Sequence, residues 1–459
     1  LLIGWSNPLD LQGVIPLEGR GLNPLLQNPA MAIHPPSLYL GFIGFSVPFA
    51  FAMGGLILGK MDNEWVLTTR RWTLTAWYFL SAGLILGGQW AYEELGWGGF
   101  WAWDPVENAA FMPWLTGTAF LHSVMIQEKR NMLKIWNVVL IILTFGLTIV
   151  GTFLTRSGII NSVHAFTQSE IGPAFLIFLA FILVIGFGLL FKRIQMLESE
   201  HKIESVLCRE NAFLAQNVLL VGIAFTVLLG TTFPLLAEAV RGTKLSIQAP
   251  FFNTIIAPMG YLLLLLMGIG TLIAWRKSSW EGLLRNFKNP LILATAGTVF
   301  LAWFLADRDL LWSVHTIFWL TIFVTSTIVL EIVKAVQSKS SQSKSNYIMA
   351  LFYVIARNPR RYGGLLIHFG VVLMFLGFAG TFFKVERNMT LESGVPQEIG
   401  EYSLEFKQME EFKVGNATHR AAIVNVFDKD GNFLEVLKPA KSFYPTQPQP
   451  LTEVAIRRS

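Results

Sequence analysis

The feature that most constrains this chain is a succession of apolar runs, recurring from Leu38 almost to Phe383, each long enough to cross a hydrocarbon layer. A bilayer core of about 30 Å takes about 20 helical residues, and there each backbone polar group has to be satisfied inside its own helix. The spans read as 38 to 59, 71 to 90, 108 to 127, 134 to 155, 171 to 191, 212 to 232, 254 to 275, 290 to 306, 312 to 336 and 362 to 382. An all-α polytopic membrane protein of about ten helices is therefore expected. Composition agrees: of 459 residues 53% are hydrophobic and 14% charged, with a mean hydropathy of +0.51. That balance excludes an ordinary water-soluble domain.

Loop charge orients the helices. Twenty Lys and Arg fall in five alternate loops, from Lys60, Arg70 and Arg71 in the first to Arg357, Arg360 and Arg361 in the last. The intervening loops hold Arg20, Arg156, Arg241, Lys244 and Arg308. Positive loops stay on the cytoplasmic or matrix side. Residues 1–37, a Trp-rich loop at 91–107, the loop around His164 and the tail from about Lys384 then face outward. The net charge of +5 needs no nucleic-acid partner, since the excess lies where topology demands it. The sole cysteine, Cys208, lies in a cytoplasmic loop, so thiol chemistry has to involve a partner's thiols.

Residues 337–361 read as a cytoplasmic linker, flexible over the Ser/Lys/Gln-rich stretch from Gln337 to Ser345. Residues 383–459 read as a small outer β domain, incomplete here: A-A-I-V-N-V-F and F-L-E-V-L alternate like strands on either side of D-K-D-G-N. The chain opens on Leu1 and stops in a polar segment, and further sequence is expected on both sides.

Within the outer loops one stretch stands apart, W-G-G-F-W-A-W-D-P-V-E-N-A-A-F-M-P-W-L from Trp97 to Leu115. Four of the fifteen tryptophans are here, with Phe100 and Phe111 beside them. Asp104, Pro105 and Glu107 spell a capping box with proline at the first helical position, so a helix begins at about Asp104. Gly98 and Gly99 permit close backbone approach in the loop before it. Scattered interfacial aromatics are the plain alternative, but this density makes a platform for a flat ligand.

The histidines sort by position. His34, in A-I-H-P-P-S-L, lies just outside the first span, and His164, in N-S-V-H-A-F, lies in another outer loop. Either is a solvated bystander taken alone; together they flank the platform as an axial pair for heme iron would. His122 and His368 lie inside spans, about five and six residues from the cytoplasmic end, so their depths match. Intramembrane imidazoles mark function by default. Simple hydrogen bonding between helices is one reading, and a heme b gripped between two helices is the other. His201, His315 and His419 carry little.

N-P-L-L-Q-N-P with H-P-P, the Trp-rich stretch, G-T-F-L-T-R-S-G with S-V-H-A-F, and L-L-I-H-F-G arrive in an order that resembles the CcmF family of heme-handling proteins in cytochrome c biogenesis. The likeness spans nearly the whole chain and is nearer to that family than to the shorter CcmC or to CcsA. Ala102 between Trp101 and Trp103, and Phe100 where a Trp is common, are departures that preserve aromatic content.

The resemblance implies a cytochrome c heme lyase, multi-pass in a bacterial cytoplasmic or organellar inner membrane, with its heme site on the outer side. Heme arriving from the chaperone CcmE is joined there to the CxxCH thiols of apocytochrome c, with a CcmH-type thiol-handling subunit as partner. On this reading His34 and His164 ligate the substrate heme and are the catalytic residues. Trp97, Phe100, Trp101 and Trp103 stack on or edge it, and Gly98 and Gly99 let the loop approach. Arg156 and the helix start meet propionates. Asp104 and Glu107 border the site and act mainly as caps. His122 and His368 hold a heme b in the membrane that relays electrons from quinol. A heme transporter that forms no bond and a quinol:heme oxidoreductase are the competing readings.

Overall fold

Among the described residues, nine helices are long and apolar enough to cross a membrane. The structure, a computed structural model, describes residues 22–157, 171–199, 203–243, 247–306, 311–445 and 450–457, and singly Asn7, Gly13, Ile159 and Leu245. Helices α1 (His34–Gly44) and α2 (Ser46–Leu58) share the first span and part at the buried Phe45. Then come α4 (Pro105–Arg130), α5 (Lys134–Ser157), α6 (Gly172–Lys192), α7 (Arg209–Arg241), α8 (Ala249–Leu272), α9 (Trp280–Phe304), α10 (Trp312–Ser343) and α12 (Pro359–Gly380).

The span expected at 71 to 90 differs. It lies inside α3 (Glu64–Glu94), a continuous helix of 31 residues that is not among the nine, because Arg70, Arg71, Glu93 and Glu94 near its ends and the threonines, glycines and Gln89 between them dilute its apolarity. Its packing compensates. Small residues let α1 and α3 nearly touch: a Cβ added to Gly41 would stand 2.8 Å from Leu80 Cα, and one on Gly83 would stand 2.8 Å from Leu38 N. Close backbone approach of this kind drives helix association where lipid removes the hydrophobic gain.

The expected linker also differs. Residues 337–343 continue α10, and α11 (Tyr347–Arg357) takes up much of the remaining stretch, its entry capped by the Asn346 side chain accepting from Ile348 N. A polar composition was outweighed by helix continuation, and the apolar stripe of Y-I-M-A-L-F-Y-V-I-A-R then has a face to bury.

Two cores form. One gathers buried residues from Phe45 through α2, α3, α4, α5, α6 and α7; the other gathers α8, α9, α10, α11 and α12. Helix α8 serves both, with Ile256, Met259 and Leu263 against the first and Leu264 and Met267 in the second. Polar ties lock the first core. Gln127 donates to Asn63 Oδ1 at 3.1 Å, and Asn137 donates to Gln127 Oε1 at 2.6 Å; such bonds average about 0.6 kcal/mol in membranes.

After α12 the chain forms an antiparallel sheet: β1 (Pro396–Ile399), β2 (Tyr402–Val414), β3 (Ala417–Asp428), β4 (Phe433–Leu437), β5 (Ala440–Phe443) and β6 (Leu451–Glu453). β2 lies along one edge of β3, while β4 and β5 share its other edge in turn. The hairpin read from alternation is β3–β4. Its turn closes as Asp428 Oδ1 accepts from Asp430 N and Asn432 N, with Gly431 at φ +82°.

Candidate functional site

The Trp-rich loop is held by its own acids. Asp104 Oδ2 accepts from Val106 N at 3.0 Å, while Glu107 Oε2 accepts from Asp104 N at 3.1 Å and Ala102 N at 3.0 Å. The capping box is complete, so these carboxylates fix the loop, and at the helix start, where a propionate was expected, the Val106 N–H already has an acceptor. Asn108, fully buried, adds a bond from Nδ2 to Trp103 O at 3.1 Å and another to Thr231 on α7 at 3.0 Å.

Trp103 is bent to fit. Its φ of +58° is rare for a large L-residue and marks strain that the surroundings sustain. The surroundings are visible: its indole stacks on Phe252 at 4.9 Å and donates to Asn253 Oδ1 at 2.8 Å. Phe100 likewise stacks on Phe378 of α12 at 5.9 Å. Two of the four rings expected to carry a ligand thus spend one face inside the protein. Trp101 meets Trp103 and Phe111 edge to face, and Phe111 stacks on Trp114, which donates to Ser81 Oγ at 2.8 Å. Trp114 belongs to the helix bundle. Gly98, at φ +66°, lies beside Lys384, and Gly96 beside Val454, which brings the loop against the chain on either side of the sheet. Arg156 is exposed in the last turn of α5.

His34 opens α1, with Pro35 and Pro36 in the first turn, where a missing N–H costs nothing. The residue is 9% exposed. Nδ1 lies 2.8 Å from Gly83 O; a carbonyl can only accept, so Nδ1 carries the proton and the lone pair sits on Nε2. The imidazole stacks near Trp90 at 6.3 Å and fills the space where a Gly87 Cβ would come within 2.5 Å of Cε1. Gly88, the next residue, faces Phe100 O. Imidazole and loop therefore occupy adjoining faces of one turn of α3. His164, the expected partner, lies outside the described residues.

The repeated Asn-Pro of N-P-L-L-Q-N-P, recognised in the sequence but given no role, is a strap. Asn23 and Asn28 each cap a short turn that begins with proline. Asn28 donates to Glu94 Oε1 at 2.7 Å, and the buried Trp90 donates to Leu25 O at 3.2 Å. The strap ties the end of α3 beneath His34. The paired Asx-Pro pattern was the legible signal.

Deeper in the bundle, His122 on α4 and His368 on α12 face each other with ring centroids 6.2 Å apart and planes 12° from parallel. His122 Nδ1 donates to Thr118 O at 2.8 Å, again leaving the lone pair on Nε2. His368 Nδ1 is buried without a hydrogen-bond partner among the described residues. Metal–imidazole bonds run to about 2 Å, and two of them plus half a ring on each side place centroids roughly 6 Å apart. Among the described residues no group of three His, Cys, Asp or Glu stands ready for a bare ion. A metal there has to bring its other ligands with it, as iron in a porphyrin does. Helix α4 packs on α3, α5 and α7, and α12 on α10, rather than closely on each other. Gly364, one turn from His368, meets nothing within 4 Å of an added Cβ.

The remaining histidines serve locally. His315 Nδ1 lies 3.2 Å from Leu311 O, His419 joins Ser442 Oγ at 2.7 Å within the sheet, and His201 lies outside the described residues.

Two family models match the chain. The one described as Cytochrome C assembly protein matches residues 8–160, and the one described as CcmF C-terminal beta-sandwich matches residues 382–459. Cytochrome c-type biogenesis protein CcmF of Pseudomonas fluorescens is 38% identical over 460 residues, covering 99% of this chain and 67% of that protein. Its namesake in Escherichia coli (strain K12) is 38% identical over 451 residues, covering 96% and 66%. A solved structure, Cytochrome c Heme Lyase CcmF, superposes with a TM-score of 0.76 at 34% identity, covering 94% of this chain and 65% of that one. The chain thus spans about two thirds of the length of these relatives.

Proposed function

We infer function from one premise: the chain belongs to the CcmF family of cytochrome c-type biogenesis proteins. On that premise it is a multi-pass membrane protein that holds heme at two levels and joins one of them to apocytochrome c. The Trp-rich end faces the periplasm or its organellar equivalent, and the basic end faces the cytoplasm or matrix, as the loop charges require.

The observation that carries the reading is the facing pair His122 and His368, parallel at the separation of two imidazoles on one iron. These residues hold a heme b, which when bound supplies a one-electron store between quinol and the outer site. His122 keeps its Nε2 aimed by donating Nδ1–H to Thr118. At the other end, eighteen residues or roughly 27 Å along α4 from His122 to Asp104, the substrate heme rests against Trp97, Phe100, Trp101 and Trp103. Gly98 and Gly99 allow the approach. His34 and His164 take its iron and so orient the vinyl groups. Each CxxCH thiol adds across a vinyl C=C: sulfur bonds one carbon, the thiol proton goes to the other, and no electrons are consumed. Arg156 receives a propionate. Asp104 and Glu107 act by holding the loop. CcmE delivers the heme, and a CcmH-type subunit delivers the thiols.

The test is the purified protein mixed with a CxxCH peptide and heme-loaded CcmE. A covalent peptide–heme adduct is expected. Heme uptake without any adduct would make the protein a carrier, and quinol oxidation that survives His164→Gly alongside normal cytochrome maturation would make it an oxidoreductase.

A further inference from the structure

The basic end of the bundle holds more than orienting charge. Seven residues beyond His122 on α4 comes Lys129, and seven residues before His368 on α12 comes Arg361. Seven residues are nearly two turns, so each cation lies on its histidine's own face with about 20° of drift and roughly 10 Å along the axis. The helices run in opposite directions, so both cations stand toward the same end. Met125 and Gly364 fill the turn between on the two sides, Met125 exposed and Gly364 with open space beside it.

A third cation joins them from α7. Arg209 sits 5.4 Å from the Trp275 ring, and Lys129 Nζ lies 4.6 Å from that same ring. Trp275 meets Phe213 at 6.0 Å, and Phe213 meets the His122 ring at 5.6 Å, so an aromatic wall runs from the imidazole to the cations. Lys129, Arg209 and Arg361 lie within electrostatic reach of one another. Their neutralisation is incomplete. Among the described residues Glu331 pairs with Arg361, but Glu128 is taken by Arg70 and Glu210 by Arg130. Arg209 donates Nη2 to Thr271 O at 3.0 Å, while its Nε is buried with no acceptor among the described residues. Glu331 and Glu210 also act on Arg209, and Glu128 on Lys129, but Glu331 is the one acid directly paired with any of the three cations among the described residues, and like charges gathered this way are costly unless an anion meets them.

We propose that Lys129, Arg209 and Arg361 form a dicarboxylate receptor that takes the two propionates of a heme held edge-on between His122 and His368. This rests on the reading that those histidines share one heme. The porphyrin plane then stands across the slot with its acidic edge toward the basic end and its vinyl edge toward the membrane interior. That orientation keeps the reactive vinyls away from water and thiols, so this heme is a resident group and not a substrate.

The test compares heme with its dimethyl ester, which keeps the ring and removes both charges. The full chain is purified, stripped and reloaded with either. Charge-assisted bonds of this kind favour the free acid by roughly tenfold or more. In Lys129→Gln/Arg361→Gln the preference is expected to fall to near unity while ester binding stays as in wild type. Arg70→Gln, at the same end but paired with Glu128, should keep the preference. A double variant that still prefers the free acid tenfold overturns the proposal, as does a wild type that binds both forms equally with a normal bis-histidine spectrum. If the double variant binds neither form, Lys129→Gln and Arg361→Gln are read singly on the same ratio. Loss of the parent reading looks different: His122→Ala would leave the low-spin spectrum intact.

Discussion

His34 and the His122–His368 pair hold their imidazoles by opposite means. His34 is enclosed by its own chain, with Gly83 O bonded to it, Trp90 alongside, Gly87 cut away to admit it and a strap of Asn-Pro turns beneath. His122 and His368 share a gap between helices that belong to different cores, and one of the two rings has a buried nitrogen left over. An enclosed ring is preset, and what it grips can come and go without the site collapsing. A ring across a gap needs something in the gap. The contrast suits a transient substrate at one end and a resident group at the other.

The sharpest way to break the comparison is to remove a ring from the pair. His122→Ala or His368→Ala, each alone, is expected to abolish the low-spin b-type absorption of the purified protein, because a single imidazole cannot complete the axial pair. Signal surviving in both variants would mean that the rings merely pack. Next comes Gly87→Val, which drives a side chain into His34, since even an added Cβ would stand 2.5 Å from Cε1. Cytochrome c maturation in cells should fall at least tenfold while the b-type absorption of the purified protein is unchanged. If the two readouts fall together, the sites are not independent.

Smaller effects separate holding from gripping. Asp104→Ala removes the cap of α4, worth about 1 kcal/mol, and should lower the thermal midpoint and the adduct yield together. Adduct yield lost at an unchanged midpoint would instead place Asp104 on the heme. Smallest is Gly431→Ala, which forces a Cβ into φ +82° at a cost of about 1–2 kcal/mol. It should loosen the β3–β4 hairpin, seen as faster amide exchange there, and leave both heme readouts alone.

What could be read in advance depended on distance along the chain. The capping box at Asp104 and Glu107, and the hairpin about Asp428, are built from residues within a few positions of one another, and both appear where the pattern put them. The matching depths of His122 and His368 follow from counting residues, but that they face each other at 6.2 Å depends on how two cores meet, which no local pattern records. Trp103 shows the same limit. Its strained backbone exists because Phe252 and Asn253, some 150 positions away, accept its ring. At 337–343 composition misled, since Ser and Lys are tolerated in a helix whose preceding turns are already anchored.

The division into two cores has a mechanical corollary. Helices α1 to α7 and α9 to α12 each bury their own apolar residues, and among the described residues α8 alone contributes to both. A molecule bonded to His122 on one half and His368 on the other is then a rivet through a seam. The emptied protein should come apart in two melting steps and the filled one in a single, later step; loading the rivet would then report that the halves have met correctly.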